Sequence, residues 1–224
     1  MKISVIIPIK NEPLINELIE EVHKNLRDYE HEIIIIDKSD KKPEIVGAKL
    51  FLQKSNGLGN AIIEGFDYTT GDTIITMDGD FSHNPKDLPR ILRKIEEGYD
   101  IVIGSRYISG GAIKGWGTYR KVTSKGANIL SRFLVGVIVH DITSNYRCYK
   151  KNVLDSIGFK KIKSSGYAFV EEILYRSNLK GFKITEIPIV FVDRAYGKSK
   201  LTKKEMYRFL IDIFKLKFRT AISQ

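Results

Sequence analysis

The chain has 224 residues, of which 42% are hydrophobic and 29% charged, with a formal net charge of +10. This length and balance suit one α/β domain with a sizeable core and exclude a disordered chain. The single cysteine, Cys148, excludes an internal disulfide framework and a multi-cysteine metal site, and suits a reducing compartment.

In chain order, Ile3–Ile9 is rich in β-branched residues and ends at a polar cluster, which predicts a strand. Leu14–Leu26 carries apolar residues at helical spacing. Glu32–Asp37 holds four consecutive isoleucines, as a strand buried on both faces does. Ala48–Gln53 predicts a short strand, and Gly57-Leu58-Gly59 opens a helix running to Tyr68. Asp72–Met77 predicts a strand, Pro85–Glu97 a helix and Asp100–Gly104 a strand. The alternation predicts an α/β fold with a mostly parallel central sheet, right-handed crossovers and flanking helices. Ligands of such sheets bind beyond the carboxyl ends of the strands. Lys10-Asn11-Glu12, Asp37, Asp78-Gly79-Asp80 and Ser105-Arg106 fall on that edge.

The second half is less regular. Gly110 to Thr118 carries four glycines and Trp116 and reads as a mobile loop, with Trp116 a lid or a packing anchor. Ser124–Val139 and Ala168–Asn178 predict helices, and Lys183–Val192 a strand. Thr202-Lys203-Lys204-Glu205 has the form of a capping box, so a last helix is expected to start there. Residues 1–201 form the expected main domain, and 202–224 a basic amphipathic helix.

The charge is uneven. From Arg194 to Arg219 there are nine Lys or Arg against Glu205 and Asp212, a net +7 that leaves +3 for the rest. An anionic partner at this end is expected, or else a solvated helix face. Met206, Phe209, Leu210, Ile213, Phe214, Leu216 and Phe218 interleave with the basic residues, as in helices that lie in a lipid interface. No apolar run approaches the roughly 18–20 residues that span a bilayer. The longest candidate, Phe133–Val139, is far shorter, and Met1–Pro8 reads as a strand rather than a signal peptide. A cytoplasmic location with peripheral attachment to the membrane face is expected. Nucleic acid is not an expected partner, because no recognition motif accompanies the charge.

Asp78 and Asp80 flank a glycine directly after Thr73-Ile74-Ile75-Thr76-Met77. Two hard oxygen donors two residues apart suit Mg²⁺ or Mn²⁺, which bridge carboxylates and phosphates. An Asp-x-Asp alone reads as a turn sooner than as a metal site. Its place at a strand's carboxyl end, with other polar strand ends beside it, favours a site. His83 and His140 lack a ligand-spaced partner and read as ordinary polar residues.

With these residues in view, the chain resembles the family 2 glycosyltransferases of GT-A fold, and more narrowly the dolichol- or polyprenyl-phosphate mannose synthases. The general segments are Val5–Glu12, Ile36-Asp37, Gly57–Ile62 and Met77–Pro85. The more specific ones are Gly104–Tyr107, Tyr119–Asn128, Asp141–Arg147 and Phe191–Leu201. The matches run in order from residue 3 to about 201. The resemblance implies a nucleotide-diphospho-sugar transferase. Pro8, Asn11, Glu12 and Asp37 would bind the nucleoside, and Asp78 and Asp80 the metal and the donor diphosphate, with Ser82 beside the metal where the family often has glutamine. Arg106, Arg120 and Ser124 match positions that grip an acceptor phosphate, and Arg194 and Lys200 match a loop that faces the donor diphosphate. Lys38 stands where a second Asp is common, and Asn145 replaces a frequent Gly, which Asn's tolerance of left-handed backbone would allow.

The expected activity is inverting transfer of a hexose, mannose first, from GDP-mannose or a UDP-sugar to dolichyl or polyprenyl phosphate. A divalent cation serves as cofactor, with Asp80, Arg106, Arg120, Arg194 and Lys200 as the catalytic set. The alternatives are transfer to a saccharide or lipid hydroxyl with Glu172 as base, and a non-catalytic sugar-nucleotide-binding protein.

Overall fold

The computed structural model describes residues 1–162, 168–193 and 211. The first strand, β1 (Lys2–Ile9), pairs in parallel along its whole length with β2 (Glu30–Asp37), whose isoleucines Ile33–Ile36 are buried on both faces. β3 (Lys49–Leu52) extends the sheet beyond β2, and β4 (Thr73–Thr76) pairs with the other side of β1. The register sets Ile9 against Asp37 and Ile6 against Thr76, so the ends of β1, β2 and β4 share one edge.

β5 (Ile101–Ser105) does not pair with β4. A short strand, β7 (Arg147–Lys150), lies antiparallel between them, and β8 (Ile184–Pro188) closes the far side of β5. The order of the seven-stranded sheet is β3-β2-β1-β4-β7-β5-β8. β7 escaped the sequence reading because it is four residues long with a basic residue at each end. Both β4 and β5 therefore run toward the same edge while the chain between Asp141 and Arg147 enters from it.

Helices cover both faces. α1 (Ile15–Asn25) buries Ile15, Leu18, Ile19 and Val22, and α3 (Leu88–Glu96) buries Leu88, Ile91, Leu92 and Ile95 against the same face. In each the buried residues recur at three and four, the period of a one-sided helix, and each is worth about 1.5–3 kcal/mol when fully buried. The opposite face holds α2 (Leu58–Asp67), the end of α4 (Thr118–Val135), α5 (Lys151–Ile157) and α6 (Phe169–Leu179). α2 packs closely on the sheet at Gly65, where a Cβ would meet Ile6 Cγ2 at 2.6 Å.

Three expectations change. The glycine-rich stretch contains a strand, β6 (Ala112–Lys114), paired in parallel with β9 (Val190–Val192) in a small second sheet. The single strand expected over 183–192 is thus two, β8 and β9, in different sheets. α4 starts six residues earlier than expected, and ends at Gly136, whose φ of 69° suits the left-handed cap that glycine adopts without cost. The expected helix over 202–224 lies outside the described residues apart from Ile211, which is helical.

One buried group carries a pH prediction. Glu171 in α6 is fully buried, and neither carboxyl oxygen has a hydrogen-bond partner. Burial pushes its carboxyl well above the ordinary value of 4.5, against the pull of Arg147. Arg147 is itself fully buried and spends its donors on the carbonyl oxygens of Ser144, Val170 and Ile142. Glu171 is therefore held protonated. A raised folded-state value gives stability that is complete below the unfolded value and is lost as pH rises toward the folded one, at about 1.4 kcal/mol per pH unit. Glu171→Gln should leave Tm little changed at pH 4 and raise it at pH 8, by about 2–4 °C for each kcal/mol relieved. Equal shifts at both pH values would contradict a neutral Glu171.

Candidate functional site

Asp37 closes β2 and is 2% exposed. Its Oδ1 accepts the Ser39 N–H at 2.8 Å, and its buried Oδ2 has no hydrogen-bond partner. Asn11, with a left-handed φ of 57°, ties the loop after β1 to the loop after β2. Its Nδ2 donates to Asp40 Oδ2 at 2.7 Å, its Oδ1 accepts the Asp40 N–H at 3.0 Å, and its own N–H donates to Ser39 Oγ. Pro8 pairs with Ile36 in register. Glu12 lines a cavity of about 140 Å³ with Gly79, Asp80, Phe81, Val192 and Asp193. The structure brings Pro8, Asn11, Glu12 and Asp37 to one edge with the Asp pair.

The Asp-Gly-Asp spacing has a steric cause. A Cβ at Gly79 would meet Ile9 Cγ2 at 2.8 Å, so only glycine lets the turn lie against β1. Phe81 follows in left-handed backbone at φ 61°, a conformation costing a non-glycine residue about 1–2 kcal/mol. Ser82 braces this turn. It is 1% exposed, and both its N–H (3.1 Å) and its hydroxyl (2.5 Å) donate to Asp80 Oδ1. Ser82, expected beside the metal, thus supports the carboxylate next to it.

Asp78 is held by two residues to which the sequence assigned no such role. Asn145 Nδ2 donates to Asp78 Oδ1 at 3.0 Å, and the Asp78 N–H donates to His83 Nδ1 at 3.0 Å. His83 is 2% exposed, stacked on Tyr146 with centroids 4.8 Å apart and edge-on to Phe191. Burial lowers its imidazole below the ordinary value against the pull of Asp78 and Asp80. With Nδ1 accepting, the neutral ring carries its proton on Nε2, 3.8 Å from Asp78 Oδ2. The one sequence signal for this role is its place five residues after Asp78.

Among the described residues no cluster of three or more His, Cys, Asp or Glu could hold a metal by itself. Asp78 and Asp80 fit a different arrangement, in which a hard cation takes one or two carboxylates and completes its shell with phosphate and water.

Across β7, the end of β5 carries the cationic half. Arg106 Nε and Nη2 each donate to Asp141 at 2.7 Å, Nη2 also reaches Thr143 Oγ1, and the Arg106 N–H donates to Asp141 Oδ2. Burial alone would raise the Asp141 carboxyl, yet the charge and hydrogen bonds of Arg106 hold it below the ordinary range. Arg120 pairs with Asp193 at 3.0 Å and lies over the Trp116 ring, 3.9 Å from its centroid. Trp116 in turn packs on Phe191, and the Arg106 guanidinium lies 5.6 Å from Phe191 and 5.9 Å from Trp116. Of the two sequence readings of Trp116, the geometry is that of a packing anchor. Ser124 Oγ lies 2.9 Å from the Tyr107 hydroxyl.

Arg106, Arg120 and Ser124 are thus gathered around one aromatic wall, and the two arginines are oriented by carboxylates. Arg194 and Lys200 lie outside the described residues. Glu172 is 2% exposed and accepts from Arg176 Nε and Nη2 at 2.9 and 2.5 Å, an i,i+4 pair that anchors α6. Asn145 is not left-handed, so the conformational reason for its replacing glycine does not apply.

The fold is shared with solved structures of glucosyl-3-phosphoglycerate synthase from Mycobacterium tuberculosis. The complex with Mn²⁺, UDP and phosphoglyceric acid aligns with a TM-score of 0.73 at 18% identity, covering 96% of this chain and 78% of that one. The complex with Mg²⁺ and UDP aligns with a TM-score of 0.72. Polyprenol monophosphomannose synthase of Mycolicibacterium smegmatis is 42% identical over 149 residues, 65% of this chain. Dolichol-phosphate mannosyltransferase of Pyrococcus furiosus is 34% identical over 229 aligned positions, 96% of this chain. The chain spans 56% and 64% of the lengths of these two relatives. The model of the family described as Glycosyl transferase family 2 matches residues 4–158. With the strand-end carboxylates, the fold and these relatives in agreement, the chain belongs to glycosyl transferase family 2.

Proposed function

We propose that this chain catalyses inverting transfer of a hexose, mannose first, from a nucleotide-diphospho-sugar to a polyprenyl or dolichyl phosphate. The observation that carries the reading is the juxtaposition of Asp78 and Asp80 with Arg106, on strand ends separated only by β7, and with Arg120 of α4, whose partner Asp193 lines the same cavity as Asp80. The names of the two relatives support the mannosyl donor and the lipid phosphate acceptor.

Asp37, with one buried oxygen free of hydrogen bonds, suits the N–H donors of a nucleobase. Asp78 and Asp80 would hold a divalent cation, which when bound neutralises the donor diphosphate as it leaves. The acceptor supplies its own nucleophile, because a phosphate monoester with a second pKa of about 6 is largely ionised at neutral pH. No general base is then required, in keeping with Glu172 being tied to Arg176. The remaining task is to bring two anions together. Arg106 and Arg120 supply fixed positive charge for it, to which the sequence adds Arg194 and Lys200. Asp141 and Asp193 hold the first two in place by ion pairs.

The lipid acceptor requires access to a membrane surface. No helix among the described residues is long and apolar enough to cross one. α4 nevertheless exposes Tyr119, Val122, Ile129 and Phe133, the last at 78%, beside the exposed Lys121 and Lys125, and Ile138 follows at 95%. This surface, with the basic stretch 202–224, supports peripheral attachment to anionic lipid.

The test is a panel of GDP-mannose, UDP-glucose and UDP-N-acetylglucosamine, each with Mn²⁺ or Mg²⁺ and a polyprenyl phosphate. Lipid-linked mannose from GDP-mannose is the expected product. If only a soluble saccharide is glycosylated, the acceptor is a hydroxyl and the reading fails. For attachment, the full chain should co-sediment with anionic liposomes at low salt, and Phe133→Glu should weaken that binding severalfold. No binding by the parent chain would refute it.

A further inference from the structure

We infer that Asn145 is a specificity residue of the donor site, whose side-chain oxygen receives a hydroxyl of the sugar being transferred. The inference rests on the donor-site reading above and names a contact within it.

Asn145 stands just before β7, between the two halves of the site. Thr76 Oγ1 donates to its carbonyl oxygen at 2.7 Å, and the Gly104 N–H donates to the next carbonyl, that of Tyr146, at 2.8 Å. The backbone is therefore pinned to β4 on one side and β5 on the other. The side chain is 92% buried by its 8% exposure, and its Nδ2 donates to Asp78 Oδ1. That bond fixes the orientation of the amide. The reversed amide would set a carbonyl oxygen against a carboxylate oxygen, two acceptors with no proton between them. Oδ1 is thus the other end of an amide already bound to Asp78, and it is buried without a hydrogen-bond partner. A buried acceptor left open in this way is an exception that calls for a donor.

The sheet order says which donor. From β2 to β5 the edge presents Asp37, then the Asp78 and Asp80 carboxylates, then Asn145, then Arg106. A nucleotide-sugar laid along it has its base at Asp37, its ribose on the β1 side and its diphosphate at the Asp pair. Phosphate oxygens cannot donate to Asn145 Oδ1. The hydroxyl-bearing group on the β7 side, between the diphosphate and the acceptor cations, is the sugar. Asn145 therefore couples sugar recognition to the setting of Asp78, because one planar amide serves both contacts.

The experiment compares Asn145→Ala and Asn145→Gly with the parent chain in Mn²⁺. Dissociation constants are measured for the best-bound nucleotide-sugar of GDP-mannose, UDP-glucose and UDP-N-acetylglucosamine, and for its own nucleoside diphosphate. Both variants keep the backbone bonds, and unchanged thermal unfolding verifies that they fold. The expected result is a loss for the nucleotide-sugar about tenfold larger than any loss for the nucleoside diphosphate, the difference being in line with one hydrogen bond. Preference among sugars on the same base should flatten as well. Equal losses for both ligands would make Asn145 only a support for the metal carboxylate, and no loss for either would remove it from the site; both overturn the inference. A parent chain that binds nucleoside diphosphate, with variants that lose no more affinity for the nucleotide-sugar than for the nucleoside diphosphate, refutes Asn145 alone. A parent that binds none of the ligands refutes the donor site itself.

Discussion

Asp80→Ala is expected to abolish metal-dependent transfer, with kcat/KM falling by about three orders of magnitude, since metal stabilisation of a leaving diphosphate is worth several kcal/mol. Two losses combine. The cation loses one of two carboxylates in a site where, among the described residues, no cluster of three His, Cys, Asp or Glu stands in for it. Ser82 loses the acceptor of both its donors, which frees a turn that already carries Phe81 at a left-handed φ. Asp80→Asn separates these effects, because it keeps an oxygen for Ser82 but removes the charge. Nucleoside diphosphate binding with and without EDTA is the companion measurement. In the parent chain chelation should weaken it, and in Asp80→Ala chelation should make no difference. Turnover that survives in Asp80→Ala would refute the metal assignment.

Asp141→Ala should be the most damaging change to the acceptor half, and it should act on stability as well as activity. Arg106 has 8% of its side chain exposed and Asp141 none. Removing the carboxylate strands a buried guanidinium, a loss of about 3–5 kcal/mol, or about 2–4 °C of Tm for each kcal/mol in a chain of this size. Adding Arg106→Met should restore much of the Tm, because the charge needing a partner is gone, but should restore no transfer. Recovery of activity in the double variant would show that Arg106 does not serve the acceptor. The pH dependence has the opposite sign to that of Glu171. A carboxyl held below its ordinary value stabilises the fold above the unfolded value of 3.8, and that contribution disappears as acid titrates it in the folded state. Urea unfolding across pH 2 to 6 should show the parent losing this increment in acid, while the double variant does not.

The donor half was legible in the sequence because it is local. Asp37 and the Asp78–Asp80 pair each follow directly from an apolar run, and the strand period delivers such residues to one edge. The acceptor half was legible only as a list of cations. What orients them comes from far along the chain: Asp141 is 35 residues from Arg106, and Asp193 is 73 residues from Arg120. No period or spacing encodes such pairings. Asn145 and His83 were passed over for a related reason. Asn145 meets Asp78, and His83 meets Tyr146, only once β7 inserts between β4 and β5, and a four-residue strand that begins at Arg147 and ends at Lys150 gives little pattern to detect. The glycine-rich stretch misled in the other direction. Its glycines suggested mobility, whereas β6 and Trp116 are fastened to β9.

Trp116 is the only tryptophan in the chain. Its indole is overlaid by the Arg120 guanidinium and edged by Phe191, with the Arg106 guanidinium 5.9 Å from the ring. Intrinsic emission excited at the red edge of protein absorbance therefore comes from one spot. A phosphate that draws Arg120 off the ring would change that ring's surroundings directly, so acceptor analogues can be titrated optically without a label, in the unmodified chain.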